Sequence, residues 1–453
     1  MTVVPDEPAG AGDDVAGTSR MSAGTPRSAA ARAVVPWLPL IGLALLGAVL
    51  GYLAKYPCRF GEGWVNGTQF QYGCYSDVFP LYFRDELDTG VVPYLDRAVE
   101  YPVLTGALMY LLAGAVSWLP DPMARGLGYF DATAVVLGIC LAAGVLGVGY
   151  LAGRRGGGAF DRRAALAAGA FVALTPPALL TAFINWDLLA VALATGGLAA
   201  HARGRHGWAG VLIGLAVAAK FYPLLFLGPL LVLAVRDLVR DRDTGGLRAF
   251  GRTLGAAVLA WAVVNAPVAV AAPEGWATFF RFSQERGADW GSVYYLLGMA
   301  GLMPSGDLDL LNRVGTGVLL LACVGVALLG VFARRRPPVE QLVFLVVAAF
   351  LITNKVWSPQ FVLWLLPLAA LAWPRAVPPL PALVVFGLWQ LAEIGYVLGV
   401  WQYLLFVTQP DGATAPGIEA GTYAVLSLGR LSTLVMMCAL IVVDCRRSGH
   451  FRP

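Results

Sequence analysis

Four short polar stretches interrupt an otherwise apolar chain, and their residue types are those of a reactive site. They read "YSD" (75 to 77, inside "QYGCYSDVFPLYFRDEL", 71 to 87), "INWDLL" (184 to 189), "AAKFYPLL" (218 to 225) and "TNKVWSPQFVLW" (353 to 364). Asp77 stands among tyrosines and phenylalanines, where a carboxylate either accepts a proton or caps the helix that "VFPLYFRDEL" predicts, with Pro80 tolerated in its first turn. Lys220 and Lys355 are two of only three lysines among 32 basic residues, the third being Lys55. A compact ammonium suits a phosphate approached as a point charge. The competing reading is a lysine that snorkels from a helix end to the interface. Each is followed by an aromatic residue and a proline (Tyr222 and Pro223, Trp357 and Pro359), which favours a site. Asp187 either orients a substrate or opens the next helix.

The elements that must position these residues are membrane spans. The 453 residues are 58% hydrophobic and 13% charged, against about 25% charged in an ordinary soluble domain. Apolar runs recur from Val34 almost to the C-terminus, so residues 34–445 read as one polytopic, all-α domain. Residues 1–33, rich in Ala, Gly, Ser, Thr and Pro, read as a disordered tail, and 446–453 as a second tail.

Arginine sets the topology, because short cytoplasmic loops collect Lys and Arg. The clusters around Arg20, Arg154 to Arg163, Arg203, Arg236 to Arg252, Arg334 to Arg336, Arg375 and Arg446 are all assigned inside. Twelve spans follow, near 34–54, 129–152, 164–184, 187–202, 207–220, 222–236, 253–272, 308–333, 339–353, 359–373, 378–400 and 421–443. Both termini are then cytoplasmic, with long external loops at 55–128 and 273–307. The run "EYPVLTGALMYLLAGAVSWLP" (100 to 120) breaks this parity and is expected to lie on, or re-enter from, the outer face. The spans around 187–236 and 339–373 fall short of the ~20 residues of a full crossing. Their outward turns, the polar stretches above, should therefore sit below the surface in one outward cavity.

The first-loop aspartate, the "EYP" start, the "K-x-Y-P-L" turn and "N-K-x-W-S-P-Q-F" before "LWLLPL" resemble the GT-C class of membrane glycosyltransferases. The sequence is most similar to glycosyltransferase family 87, actinobacterial polyprenyl-phosphate-mannose-dependent mannosyltransferases. That resemblance implies a polyprenyl-phosphate sugar donor, a lipid or glycan acceptor of the cell envelope, and inversion at the anomeric carbon on the outer face of the plasma membrane. Asp77 would be the general base and Lys220, Lys355 and Arg430 would hold the donor phosphate, while Tyr75, Asp187, Tyr222, Asn354, Trp357 and Gln360 would bind substrate. Read from the residues alone, Arg430 is by default the partner of Glu393, an intramembrane acid at similar depth, with the donor phosphate as the competing reading.

No cofactor, metal or nucleic-acid partner is expected. The three histidines (His201, His206, His450) do not reach the proposed cavity, and no P-loop or dinucleotide fingerprint is present. Cys58 and Cys74 alone share the external face and are expected to form a disulfide. A transporter or lipid flippase is the main alternative and would show two related halves, which the very unequal outer loops do not suggest. A non-catalytic assembly partner is the third reading.

Overall fold

The computed structural model describes residues 35–61, 63–155, 159–303, 306–408 and 416–447. The N-terminal tail and most of the C-terminal one lie outside them. The fold is all-α, and among the described residues no strand occurs beyond one isolated bridge between Pro93 and Arg97. Six helices are long and apolar enough to cross a membrane: Pro122–Arg154, Tyr222–Asp241, Gly245–Ala271, Leu308–Phe332, Pro379–Val407 and Ala420–Arg447. Shorter apolar helices run over Trp37–Leu53, Val103–Val116, Asp187–Ala202, His206–Ala219, Val339–Thr353 and Pro359–Leu371.

Each expected span coincides with helix, with differences at several ends, among them Gly245–Ala271, which starts eight residues before 253, and Pro379–Val407, which runs seven residues past 400. The second helix begins at Pro122, seven residues early, where Asp121 caps it by accepting from the Ala124 amide at 2.8 Å. The third is broken into Arg162–Leu174 and Pro176–Thr181, because Thr175, preceding Pro176, is extended (φ −66°, ψ 140°). Residues 100–120 fold into the 14-residue helix Val103–Val116, which packs on Pro122–Arg154, His206–Ala219 and Gly245–Ala271. The loop 273–307 contains two helices, Pro273–Glu285 and Val293–Met299.

Short helices explain where the polar turns end up. His206–Ala219 has 14 residues and Val339–Thr353 has 15. At 1.5 Å per residue each is roughly 20 Å long, less than the ~30 Å of hydrocarbon. The turns after them, at Lys220 and at 354–358, are thus drawn into the body of the bundle. Close backbone contact keeps the short helices in place: a Cβ on Gly214 would stand 2.2 Å from the Ala257 carbonyl oxygen, so glycine there lets His206–Ala219 lie directly on Gly245–Ala271.

The basic turns gather at the opposite end from those polar turns. There Arg155 pairs with Glu340 at 3.0 Å and Arg336 with Asp237 at 3.0 Å, and the His201 and His206 rings meet at 5.2 Å.

Candidate active site

Asp77 immediately precedes the helix Val78–Arg84, yet its side chain caps nothing. The Val78 amide donates to Ser76 Oγ at 3.2 Å, leaving both Asp77 oxygens for other partners. Oδ1 accepts from the Tyr75 hydroxyl at 2.7 Å and Oδ2 from Asn185 Nδ2 at 2.8 Å. The backbone is pinned as firmly: Asp77 N–H donates to the Ile184 carbonyl (2.7 Å) and Ser76 Oγ to the Phe183 carbonyl (2.8 Å). Cys58 and Cys74 are bonded, and Trp64 Nε1 donates to the Cys74 carbonyl at 3.0 Å. Lys55, fully buried, donates to the Tyr75 carbonyl at 2.8 Å and the Leu180 carbonyl at 3.0 Å. Burial pulls its ammonium down to about 7, with the nearby Asp77 carboxylate opposing the fall.

Burial also lifts the Asp77 carboxyl above the usual carboxylate range. The Tyr75 and Asn185 hydrogen bonds and the Lys220 charge oppose that rise, while Asp187 adds to it. Held this way, Asp77 is a carboxylate with a strengthened appetite for a proton.

Lys220 lies beside it. Its ammonium is 3.4 Å from Asn185 Oδ1 and 3.4 Å from Asp187, and sits 5.4 Å over the Tyr101 ring and 5.8 Å over the Phe361 ring. Asp187 is fully buried, with Oδ1 accepting from Trp364 Nε1 at 2.7 Å, so it orients Lys220 and Trp364 from behind. Trp364 stacks between Tyr222 (4.2 Å between centroids) and Phe361 (3.9 Å). Tyr101 and Asn185 share a 2.8 Å hydrogen bond. Asn185, Tyr101 and Trp364 lie within the quoted motifs but are not among the residues the sequence points to; their place in the site comes from contacts to Asp77, Asn185 and Asp187 that only the fold makes.

The "NKVWSPQF" turn divides its residues. Asn354 and Gln360 line the cavity. Lys355 is 6% exposed and donates to the Gln284 carbonyl at 2.6 Å, capping the end of Pro273–Glu285. Burial, and next the neighbouring Arg286 charge, hold its pKa below the ordinary lysine value. Trp357 is buried under Arg430. Arg430, 1% exposed, pairs with Glu393 at 3.0 Å and donates to the Trp357 (3.0 Å) and Ser358 (3.3 Å) carbonyls. Its guanidinium is sandwiched between the Trp357 and Tyr396 rings at 4.2 and 4.1 Å. The structure therefore brings Asp77, Lys220, Tyr75, Tyr222, Asn354 and Gln360 to one cavity, and sets Asp187, Lys355, Trp357 and Arg430 behind its wall.

The cavity measures about 1140 Å³. Tyr75 and Trp401 stack at 4.6 Å on one wall, and Tyr222, Trp364 and the phenylalanines of Pro273–Glu285 form others. Rigid aromatic faces of this kind cover sugar C–H surface and leave hydroxyls free. Among the described residues no group of three or more His, Cys, Asp or Glu side chains converges as a metal site. The cavity thus sets a hydrogen-bonded carboxylate beside a fixed ammonium, in a chamber within a bundle of apolar helices.

The chain belongs to glycosyltransferase family 87, whose sequence profile matches residues 100–359, more than half of its length. It is thus a membrane glycosyltransferase. The profile covers Asn185, Lys220, Lys355 and Trp357; Asp77 and Arg430 lie outside it. The crystal structure of ArnT from Cupriavidus metallidurans bound to undecaprenyl phosphate aligns with 92% of this chain and 79% of that one, at 17% identity and a TM-score of 0.45. No curated protein sequence matches.

Proposed function

We propose that this enzyme transfers a sugar, mannose by the family resemblance, from a polyprenyl-phosphate donor to a hydroxyl of a cell-envelope acceptor at the outer face of the membrane, with inversion. The observation that carries this reading is the Asp77 carboxylate, which is freed from helix capping, desolvated, and turned into the large cavity beside Lys220.

In the proposed step the acceptor oxygen attacks the anomeric carbon as Asp77 takes its proton. The bond from that carbon to the phosphate oxygen breaks, and the phosphate leaves with the electron pair. A phosphate needs no strong acid to depart, only charge stabilisation, which Lys220 is placed to give. One carboxylate therefore suffices, whereas a retaining route through a covalent intermediate needs a second. Tyr75 and Asn185 hold the base in one orientation.

Purified protein, given labelled polyprenyl-phosphate-mannose and a membrane lipid extract, should label a discrete acceptor. Asp77→Asn should lower that rate by roughly 10²- to 10⁴-fold, the usual worth of a general base. Full activity in Asp77→Asn, or transfer from a nucleotide sugar without a lipid donor, would overturn the reading.

A further inference from the structure

Three cations line the cavity among the described residues, Arg84, Lys220 and Arg286, and they differ in how far their charge is answered. Arg84 contacts both oxygens of Asp85, at 2.8 and 3.2 Å, and reaches Glu100 at 3.1 Å. Lys220 is balanced by the buried Asp187. Arg286 has Asp289, at 3.7 Å, as its one carboxylate among the described residues, and its guanidinium lies 5.7 Å over the Phe282 ring. That carboxylate is already occupied, accepting from the Trp290 amide at 3.0 Å and from Ser358 Oγ at 3.0 Å. The side chain of Arg286 remains 39% exposed and lines the chamber.

Its position fits an amphiphile. Arg286 closes the C-terminal end of Pro273–Glu285, whose Phe279, Phe280 and Phe282 line the cavity as an apolar lane leading to it. Lys355 fixes that helix end through the Gln284 carbonyl and adds a second positive charge beneath it.

We propose that Arg286 is the residue that grips the donor's phosphate, with the isoprenoid chain laid along the phenylalanines of Pro273–Glu285. This rests on the reading that the donor is a polyprenyl phosphate sugar, and gives the grip to Arg286 with Lys220, in place of Lys355 and Arg430. The planar fork matches two phosphate oxygens at once, which an ammonium cannot do.

Binding without turnover tests it. The full chain in lipid nanodiscs is titrated with polyprenyl phosphate and with the unphosphorylated polyprenol, reading intrinsic tryptophan fluorescence. Wild type should prefer the phosphate. Arg286→Ala should lose roughly 10- to 100-fold in affinity for the phosphate, the scale of one charged hydrogen-bonding partner, with polyprenol binding unchanged. Arg286→Lys should fall between, and Arg313→Ala, at an exposed arginine paired with Asp309, should match wild type. Wild-type phosphate affinity in Arg286→Ala overturns the assignment to Arg286 alone. A wild type that binds phosphate no better than polyprenol overturns the proposed donor and this inference with it. Retained polyprenol binding also excludes misfolding as the cause of a loss.

Discussion

At the scale of single residues, Asp77 ties rate and stability to pH in opposite senses. As the proposed base it works ionised, so kcat/KM should rise with pH through its raised pKa. Tyr75 donates to the ionised form, and Tyr75→Phe should lift that pKa further and move the acid limb of the profile to higher pH while sparing much of the plateau. An unmoved limb would mean that another group titrates. Stability runs the other way. The folded chain holds the Asp77 proton more firmly than the unfolded chain, whose carboxyl titrates near pH ~4. The contribution of Asp77 to stability therefore falls as pH rises from there through the folded pKa. Asp77→Asn should leave the thermal midpoint at pH 7 unchanged or higher even as activity disappears. The sequence exposed Asp77 because an acid among aromatics is conspicuous. It could not expose Asn185 and Tyr101 as its surroundings, because a hydrogen bond across 108 positions is made by the fold alone.

At the scale of elements, Arg430 shows what charge conceals when read along the chain. Its type and depth fitted either a phosphate or Glu393, and the structure engages it with Glu393 and two carbonyls of the 357–358 turn. It is a positioning residue, strapping the turn that carries Asn354 and Gln360 to Ala420–Arg447. Removing one partner of a buried pair costs about 3–5 kcal/mol, whereas replacing both by apolar groups is often neutral. Arg430→Met should accordingly lower the denaturation midpoint strongly, and Arg430→Met with Glu393→Leu should recover most of that loss. Activity should stay low in the double variant, since the turn has still lost its strap; recovered activity would show the strap to be dispensable. Lys355 carries the same lesson, for the carbonyl it caps belongs to a helix in a segment that the sequence suggested only as loop. Aromatic-rich amphipathic helices at a membrane surface lack the long apolar run by which spans are recognised.

At the scale of the whole molecule, the placement of the apolar helices was legible because the length and greasiness of a membrane helix are dictated by the bilayer, and six of them are long enough to cross it. Arginine placement also grouped turns that the fold brings together, as the Arg155–Glu340 and Arg336–Asp237 pairs illustrate. What composition could not supply is the break at Thr175 and the early start at Pro122, both set by local cap and proline chemistry. Sidedness is open to direct measurement. In intact cells a membrane-impermeant thiol reagent should label Gln71→Cys and leave Arg334→Cys unlabelled beyond the parent chain, both positions being exposed; the reverse pattern would place the cavity inside. The Cys58–Cys74 bond acquires a different meaning in that setting. It closes a loop that ends three residues before Asp77, and such bonds form where the surroundings are oxidising. In the proposed orientation these cysteines meet the oxidising side, whereas a copy inserted upside down would keep them reduced, with the segment that carries Asp77 lacking its staple. In the proposed orientation, the covalent staple beside Asp77 and the sidedness of the chain would therefore be acquired together.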